Sequence, residues 1–320
     1  MAHLNRRDRG QLILVAGFAL AVAFVALALV LNAAIFTGSL ATRGENTGAN
    51  DALAYRQTVE TDVGELLQYA NEVNASDSYG DLETNVTVGV NEMSNLSARL
   101  QVRTGTVSNV SLQSSVSGTR ILQNDTTARR FTNESGDSDW TMAEGVQQTR
   151  AFTIEIDNDT GDPVASLADD GTGNEFNLTV DDEDSVDDWE LLLSRNSTSP
   201  DQVNVTVTNG TGTFSCHETV GASVFWVNVT DGTVAGTECE ALSFAENVEG
   251  DYTLNVTNGA NAKGNYSMVV DRTSVPSQHY DGPQPIADAA LYSVTVELVF
   301  ETDQLHYRTD VRVAPGESDA

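Results

Sequence analysis

The sequence predicts an α+β protein in which an N-terminal transmembrane helix and an amphipathic helix precede an extracellular, all-β, sandwich-like domain. Three observations support this class. A long apolar run fills residues 12–36, an apolar repeat of helical period starts at Asp51, and beyond Val102 short β-branched runs alternate with Asn, Asp and Gly turns. The predicted segments are a cytoplasmic leader (1–10), the transmembrane helix (11–36), a juxtamembrane amphipathic helix (37–74), an ambiguous segment (75–101), the β-rich domain (102–314) and a polar tail (315–320).

The apolar run is long enough to cross a bilayer. At about 1.5 Å per residue it spans roughly 37 Å as a helix, against about 30 Å of hydrocarbon. Arg6, Arg7 and Arg9 flank its N-terminal side, so the positive-inside rule predicts a cytoplasmic N-terminus and an extracellular C-terminal domain. The run is nearly twice as long as the apolar part of a cleavable secretory signal, which favours a retained single-pass anchor in the cell membrane. The lipid bilayer is therefore an expected partner.

The amphipathic helix follows from apolar residues at three- and four-residue steps. They are Ala52, Tyr55, Val59, Val63, Leu66, Leu67 and Ala70. Charged residues occupy the other face, and we expect the helix to end near Asn74. Its apolar stripe must contact either the outer domain or a neighbouring copy. Residues 75–101 are polar with scattered apolar positions, and a second helix around 86–100 remains open.

The β-rich domain is predicted from short runs of Val, Thr, Ile and aromatic residues. The predicted strands are 105–112, 118–123, 151–156, 175–180, 189–193, 291–301 and 305–313. In addition, 203–210, 227–232 and 254–259 each place a Val/Thr strand before Asn-Gly or Asp-Gly, the strongest short hairpin signal. We interpret these three segments as successive hairpins of one sandwich.

Charge excludes one class of partner. The chain has 47 Asp and Glu against 16 Lys and Arg, a formal net charge of −31. Residues 1–10 carry a net +2, which leaves −33 for the remainder. Nucleic acid is therefore not expected as a partner. Because about 1 M salt shortens the Debye length to about 3 Å and screens the self-repulsion, the composition suits a protein that folds in strong brine.

Two residue patterns predict covalent modification on the outer side. Cys216 and Cys239 are the two cysteines, and a disulfide between them would persist outside the cell and join the first two hairpins. Fourteen Asn-x-Ser/Thr acceptor patterns all follow the apolar run, where a glycosylating enzyme could reach them. They begin at Asn74, Asn85, Asn95, Asn109, Asn124, Asn133, Asn158, Asn177, Asn196, Asn204, Asn209, Asn228, Asn255 and Asn265.

No recognisable catalytic, cofactor or metal motif occurs, so we predict neither an enzyme nor a cofactor. The nucleophile elbow, phosphate loop, dinucleotide loop and paired-His helix are all missing from the sequence. His217, His279 and His306 are far apart, although a triad assembled in space stays an alternative. The acidic runs 169–171 and 181–184 do not follow the calcium-loop spacing and fit solvated loops better.

The tryptophans leave a second alternative open. Trp140, Trp189 and Trp226 could line a carbohydrate surface. Each lies in a strand-like or turn context, however, where core packing is the usual role.

Around Arg9-Gly10-Gln11 and the apolar run, the chain resembles archaeal type IV pilin-like proteins. Its acidic remainder, with GTRILQND at 118–125, FTNESG at 131–136 and YRTDVRVAPGE at 307–317, resembles uncharacterised haloarchaeal envelope proteins. The resemblance implies cleavage between Gly10 and Gln11 and bundling of the apolar helix with other pilin-like subunits. One departure concerns assembly, because many bacterial pilins have glutamate where this chain has Val15.

These observations predict a single-pass, N-glycosylated surface protein of a halophilic archaeon with a structural or adhesive envelope role. The alternatives are a membrane-tethered carbohydrate- or ion-binding module and, third, a tethered hydrolase. A pocket with convergent polar groups would favour either alternative.

Overall fold

A computed structural model describes residues 48–73, 76, 78–125, 129–157, 163–182, 188–221 and 224–318. The predicted leader, the transmembrane segment 11–36 and the Gly10–Gln11 position lie outside these residues, as do Asn74 and Asn158. Of the helices within the described ranges, none has the length and apolar character needed to cross a membrane.

Two α-helices come first in the described chain. Helix α1 covers residues 48–72, and α2 runs from Tyr79 to Gln101. The Ser78 side chain caps α2 by accepting a hydrogen bond from the Asp81 backbone N–H. The helices pack together, because Ser97 Oγ donates to the Tyr55 hydroxyl at 2.8 Å. The alternative of a second helix in 75–101 is therefore the one that the structure adopts.

Fifteen strands follow within the described residues. They are β1 Val107–Gln123, β2 Arg129–Arg130, β3 Trp140–Val146, β4 Thr149–Asp157, β5 Phe176–Asp182, β6 Trp189–Arg195, β7 Gln202–Asn209, β8 Gly212–Thr219, β9 Val224–Asn228, β10 Thr233–Val234, β11 Thr237–Glu238, β12 Tyr252–Thr257, β13 Lys263–Val270, β14 Ile286–Glu301 and β15 His306–Val313. Short 3-10 turns lie at Val102–Thr104, Pro163–Ser166, Gly259–Asn261 and Ser277–His279.

The strands form two antiparallel sheets. Sheet A has the order β11-β10-β9-β4-β13-β1-β14-β15, with β2 also paired to β13. Sheet B has the order β3-β12-β5-β6-β7-β8. Side chains alternate along most strands, as in β7, where Val203, Val205 and Val207 are buried and the intervening residues are half-exposed. One face of each sheet therefore supplies the core between them.

Two apolar cores hold the molecule together. The larger lies between the sheets and includes Ile154 of β4, Val227 of β9 and Leu191 of β6. The second lies on the opposite, outer face of sheet A, where α1 and α2 cover β14 and β15. Six of the seven positions in the predicted apolar stripe of α1 are at most 8% exposed, and Leu66 is partly buried. The stripe thus packs on the outer domain of its own chain.

The predicted α+β class is wrong. The described residues form a mainly β fold in which two helices cover part of one sheet. Each helix has a single apolar face and cannot bury it without that sheet, so the helices add a layer and do not form a separate α part. The strands are also longer than predicted. The runs 105–112 and 118–123 are one strand, β1, which continues through two register shifts against β14.

The three predicted hairpins divide between the two sheets. The first, β7–β8, and the second, β9–β10, are hairpins as expected. The third is wrong, because Asn258 and Gly259 lead from β12 in sheet B to β13 in sheet A. Asn258 takes a positive φ of 58°, and a Cβ added to Gly259 would lie 1.9 Å from the Phe131 carbonyl oxygen. The Asn-Gly pair therefore allows a close crossing between sheets.

The predicted disulfide is present between Cys216 and Cys239, whose Cα atoms are 5.9 Å apart. Cys216 lies in β8, the edge strand of sheet B, and Cys239 directly follows β11, the edge of sheet A. The bond therefore joins the two sheets along one side.

Candidate functional site

A pocket opens on the outer face of sheet A where the helices leave it uncovered. Its volume is about 360 Å³, at the lower end of the range for small-ligand sites. One wall is the end of α1, with Gln68 and Glu72, and the floor consists of residues from β1, β13, β4 and β9. Five elements that are distant in sequence thus meet at this pocket.

The pocket contains the one tryptophan that the fold leaves exposed. Trp140 is 6% exposed and Trp189 is fully buried, whereas Trp226 is 50% exposed. The reason is the alternation of β9, because Phe225 and Val227 point into the core and place the residue between them on the outer face. Core packing, the usual role, holds for the first two tryptophans and fails for Trp226.

Trp226 lies in a row of three side chains across the sheet. The register pairs Trp226 of β9 with Glu155 of β4, and Glu155 with Asn265 of β13. Asn265 Nδ2 donates to Glu155 Oε1 at 3.3 Å, and the Asp125 backbone N–H donates to Asn265 Oδ1 at 2.9 Å. The amide is therefore oriented from both sides, and an indole, a carboxyl group and an amide stand side by side on one surface.

The partly buried position of Glu155 shifts the pKa of its carboxyl group. Desolvation raises the pKa of its carboxyl group, the hydrogen bond from Asn265 opposes the rise, and the nearby charge of Asp157 adds to it. The net shift is upward. The pocket also contains Arg120 from β1, so it carries charges of both signs within a strongly acidic protein.

A buried arginine supports the pocket from below. Arg150 is 1% exposed, and it donates from Nε to the Tyr292 carbonyl at 2.6 Å, from Nη2 to the Leu291 carbonyl at 3.0 Å and from Nη1 to the Pro315 carbonyl at 3.1 Å. Desolvation lowers its pKa to about 10. One side chain thus ties β4 to β14 and to the residues that follow β15.

The same location attaches α1 to the sheet. Asn71 of α1 is buried, and its side-chain amide donates to the Leu291 carbonyl at 2.9 Å and accepts from the Leu291 backbone N–H at 2.9 Å. Leu291 O therefore accepts hydrogen bonds from both Asn71 and Arg150. Glu317, in the predicted polar tail, accepts a hydrogen bond from the Tyr292 hydroxyl at 2.7 Å, so this tail is bound at residue 317.

A larger groove of about 1250 Å³ lies between α1, α2 and the β14–β15 turn. Acidic side chains, including Asp62 and Glu92, stand on both helices, and Leu96 and Leu100 expose more than 60% of their surface beside them. Within the described ranges, no three His, Cys, Asp or Glu side chains are grouped to hold a metal ion.

A triad needs one histidine close to both a serine and a carboxylate. His279 Nδ1 lies 2.9 Å from Asn133 Nδ2, and His306 Nδ1 lies 2.6 Å from Glu301 Oε1. These contacts are with an amide and with a glutamate, not with a serine and a carboxylate together. His217 is in β8.

The first acidic run is bound by protein donors. Asp169 accepts from Arg195 at 2.6 Å, and Asp170 accepts from the Ser197 backbone N–H at 2.9 Å and from Asn204 at 3.0 Å. The bonds from Ser197 are the main reason that the pKa of Asp170 is lowered. Of the second run, Asp182 is buried, and residues 183–184 are outside the described residues.

The predicted glycosylation sites differ in accessibility. Asn95, Asn109 and Asn124 are exposed, Asn85 and Asn255 are half-buried, and Asn133 is only 1% exposed. At seven described acceptor patterns the side-chain amide already donates to another side chain: Asn133, Asn177, Asn196, Asn204, Asn209, Asn228 and Asn265. The fold therefore separates acceptor patterns that look alike in sequence.

Residues 6–139 match the model of a family of unknown function, DUF7261. No curated protein and no solved structure matches the chain. The matched residues include the apolar run, both helices and β1, and they end before Glu155, Trp226 and Asn265. The family match therefore assigns no activity, and the pocket row lies outside it.

Proposed function

We propose that this chain is a single-pass, N-glycosylated protein of the cell surface of a halophilic archaeon, with a pilin-like anchor and a structural or adhesive role in the envelope. The observation that carries the proposal is the position of α1. Residues 37–47 separate it in sequence from the apolar run 12–36, and its apolar face is buried on sheet A. An anchor would therefore lead directly into the folded domain.

Sequence features supply the finer parts of the proposal. Arg9-Gly10-Gln11 before the apolar run supports processing at Gly10 by a pilin-type peptidase. The charge of −31 supports a brine environment, because screening by salt is needed to offset self-repulsion of this size. Exposed acceptor patterns such as Asn95 support glycosylation on the same side as the disulfide.

Topology can be tested by labelling with a membrane-impermeant maleimide. Both native cysteines are in the disulfide, so a single new thiol reports its own location. We expect Ser135→Cys, at an exposed position, to react on intact cells. The wild type is the matched control, because both of its cysteines are in the disulfide, and we expect it to stay unlabelled on intact cells and after lysis. Labelling of Ser135→Cys only after lysis contradicts the proposed orientation.

Anchoring and processing have separate measurements. We expect the native protein to stay in the membrane pellet after an alkaline carbonate wash, and recovery in the supernatant rejects the anchor. We expect mass spectrometry of the mature N-terminus to find Gln11, alone or cyclised to pyroglutamate. A terminus that retains residues 1–10 rejects pilin-type processing and leaves the anchor in place.

A further inference from the structure

We propose that the pocket around Trp226, Glu155 and Asn265 binds a neutral saccharide. The site deepens the adhesive role proposed above by naming the class of ligand. Sugar binding is measured independently of the anchor, so either proposal can fail without the other.

The exposed indole of Trp226 favours a sugar as the ligand. A half-exposed tryptophan leaves in solvent apolar surface that an aromatic side chain in a strand usually buries. Here the side chain lies over the pocket floor and does not project from an edge, because β9 is an inner strand of sheet A between β4 and β10. A flat aromatic face inside a shallow pocket can stack against the apolar C–H face of a pyranose ring.

Polar groups that line the same pocket match the hydroxyls of a sugar. Glu155 is paired with Trp226 in the register, whereas Arg120 of β1 and Gln68 of α1 line the pocket farther from the indole. Glu155 offers carboxylate oxygens as acceptors, Arg120 offers guanidinium donors, and Gln68 offers both kinds. Neighbouring sugar hydroxyls each donate and accept, so a mixed set of this kind matches a polyol. Asn265 and its bond to the Asp125 backbone hold Glu155 in place on the other side.

The charge of the chain and the shape of the pocket disfavour other classes of ligand. A polyanion is repelled by a chain of net charge −31. A metal ion would need a grouped ligand set, which the described residues do not contain. An added peptide strand would need a free sheet edge, whereas the pocket lies on a sheet face. A volume of about 360 Å³ suits one or two sugar units of a longer chain that continues into solvent.

Isothermal titration calorimetry tests the proposal on the full-length chain. The protein is produced in a host without N-glycosylation and kept in a detergent that lacks a sugar headgroup, in about 1 M salt. The probes are cellohexaose, maltohexaose and an α-linked mannohexaose. We expect saturable binding of at least one of them. No heat of binding with any of the three overturns the proposal.

Variants locate the binding site. We expect Trp226→Ala and, separately, Glu155→Ala to weaken binding at least about tenfold, and Trp226→Phe to retain part of the affinity. Phe214→Ala is the matched control, because Phe214 is 46% exposed but lies on β8 at the edge of sheet B. Unfolding curves show that each variant folds. Binding that survives both alanine changes, or that Phe214→Ala removes equally, places the sugar elsewhere and overturns the proposal.

Acceptor patterns at Asn124, Asn228 and Asn265 lie on or beside the pocket, so the chain's own glycans could occupy it. Titration of the native glycosylated protein distinguishes binding of an external sugar from this case. We expect the native glycosylated protein to bind the same hexasaccharide. If only the unglycosylated protein binds, the chain's own glycans occupy the Trp226 pocket in the native protein. The proposal of an external ligand is then rejected.

Discussion

Replacing Arg150 with methionine tests whether one buried side chain holds β4, β14 and the residues after β15 together beneath the pocket. Methionine keeps most of the volume but removes the guanidinium, so the Tyr292 and Pro315 carbonyls lose their Arg150 donors. Leu291 O keeps the bond from Asn71. The perturbation is therefore mainly electrostatic.

The expected magnitude follows from two opposing effects. Three hydrogen bonds from a charged donor contribute about 1.5–3 kcal/mol each. The pKa of Arg150, lowered from 12.5 to about 10, indicates that desolvation of the charge exceeds the attraction of nearby groups such as Glu317 by about 3 kcal/mol. The net expectation is a loss of about 2–5 kcal/mol in the free energy of unfolding, the range observed when a buried polar network is broken.

The assay is denaturant unfolding of the full-length protein in high salt, followed by the fluorescence of the buried tryptophans. Arg272→Met is the matched control, because Arg272 pairs with Asp251 at 2.8 Å but both side chains are more than a third exposed. An exposed pair of this kind contributes about 0–1 kcal/mol. A loss below about 1 kcal/mol for Arg150→Met, equal to that of the control, refutes the reasoning.

Thermal stability should rise between about 0.1 and 1 M KCl, because salt screens the repulsion within a chain of net charge −31, and a flat melting profile contradicts this. Glycopeptide mass spectrometry should find sugar on exposed Asn95 and none on Asn133, whose amide donates to Asp137 inside the fold. The Cys216→Ser variant should lose about 3 kcal/mol of stability, as should the wild type under reductant, because the disulfide closes a loop over a separation of 23 residues. Burial raises the pKa of Glu317, but the hydrogen bonds from Arg312 and Tyr292 outweigh burial, so the pKa is lowered. The stabilisation from Glu317 is therefore present above the unfolded pKa of about 4.3 and is lost as pH falls through the lower folded value. Glu317→Gln should remove this contribution to the acid dependence of the unfolding curves.

Periodic patterns were predictable from the sequence because they report on burial of one face. The apolar repeat from Ala52 to Ala70 indicates a helix, and the helix buries that stripe. The β7–β8 hairpin follows from its Asn-Gly turn in the same way. Both signals come from residues close together in sequence, and each element buries one face, so neither prediction depends on which distant segment it contacts.

Pairings between distant segments were not predictable from periodicity. Asn258 and Gly259 resemble a hairpin turn, yet Phe131 occupies the space beside Gly259 and directs the chain into the other sheet. The predicted α+β class was wrong because an amphipathic helix has the same sequence pattern whether it covers a sheet or packs on another helix. The pattern therefore could not show that both helices are a layer on sheet A.

The candidate site shows the same limit. Trp226 could be suspected as a surface residue, since alternation places it opposite Phe225 and Val227. Its partner Glu155 was one of 47 acidic residues with no sequence feature to single it out. Arg150 likewise gave no signal, because its three acceptors are backbone carbonyls of β14 and of Pro315.

The direction of α1 connects the two proposals. Residue 48 is the described end of this helix closest in sequence to the proposed anchor, and it borders the acidic groove, whereas Gln68 and Glu72 border the Trp226 pocket. The groove borders α1 from Gly48 to Leu66, and the pocket borders it from Gln68 to Glu72, so the pocket lies at the far end of the helix, about 30 Å along the axis from residue 48. Asn71 fixes this far end to Leu291 of the sheet. In a membrane-anchored protein the groove would therefore lie toward the anchor, and the pocket would be at the end of α1 where an extracellular saccharide has access.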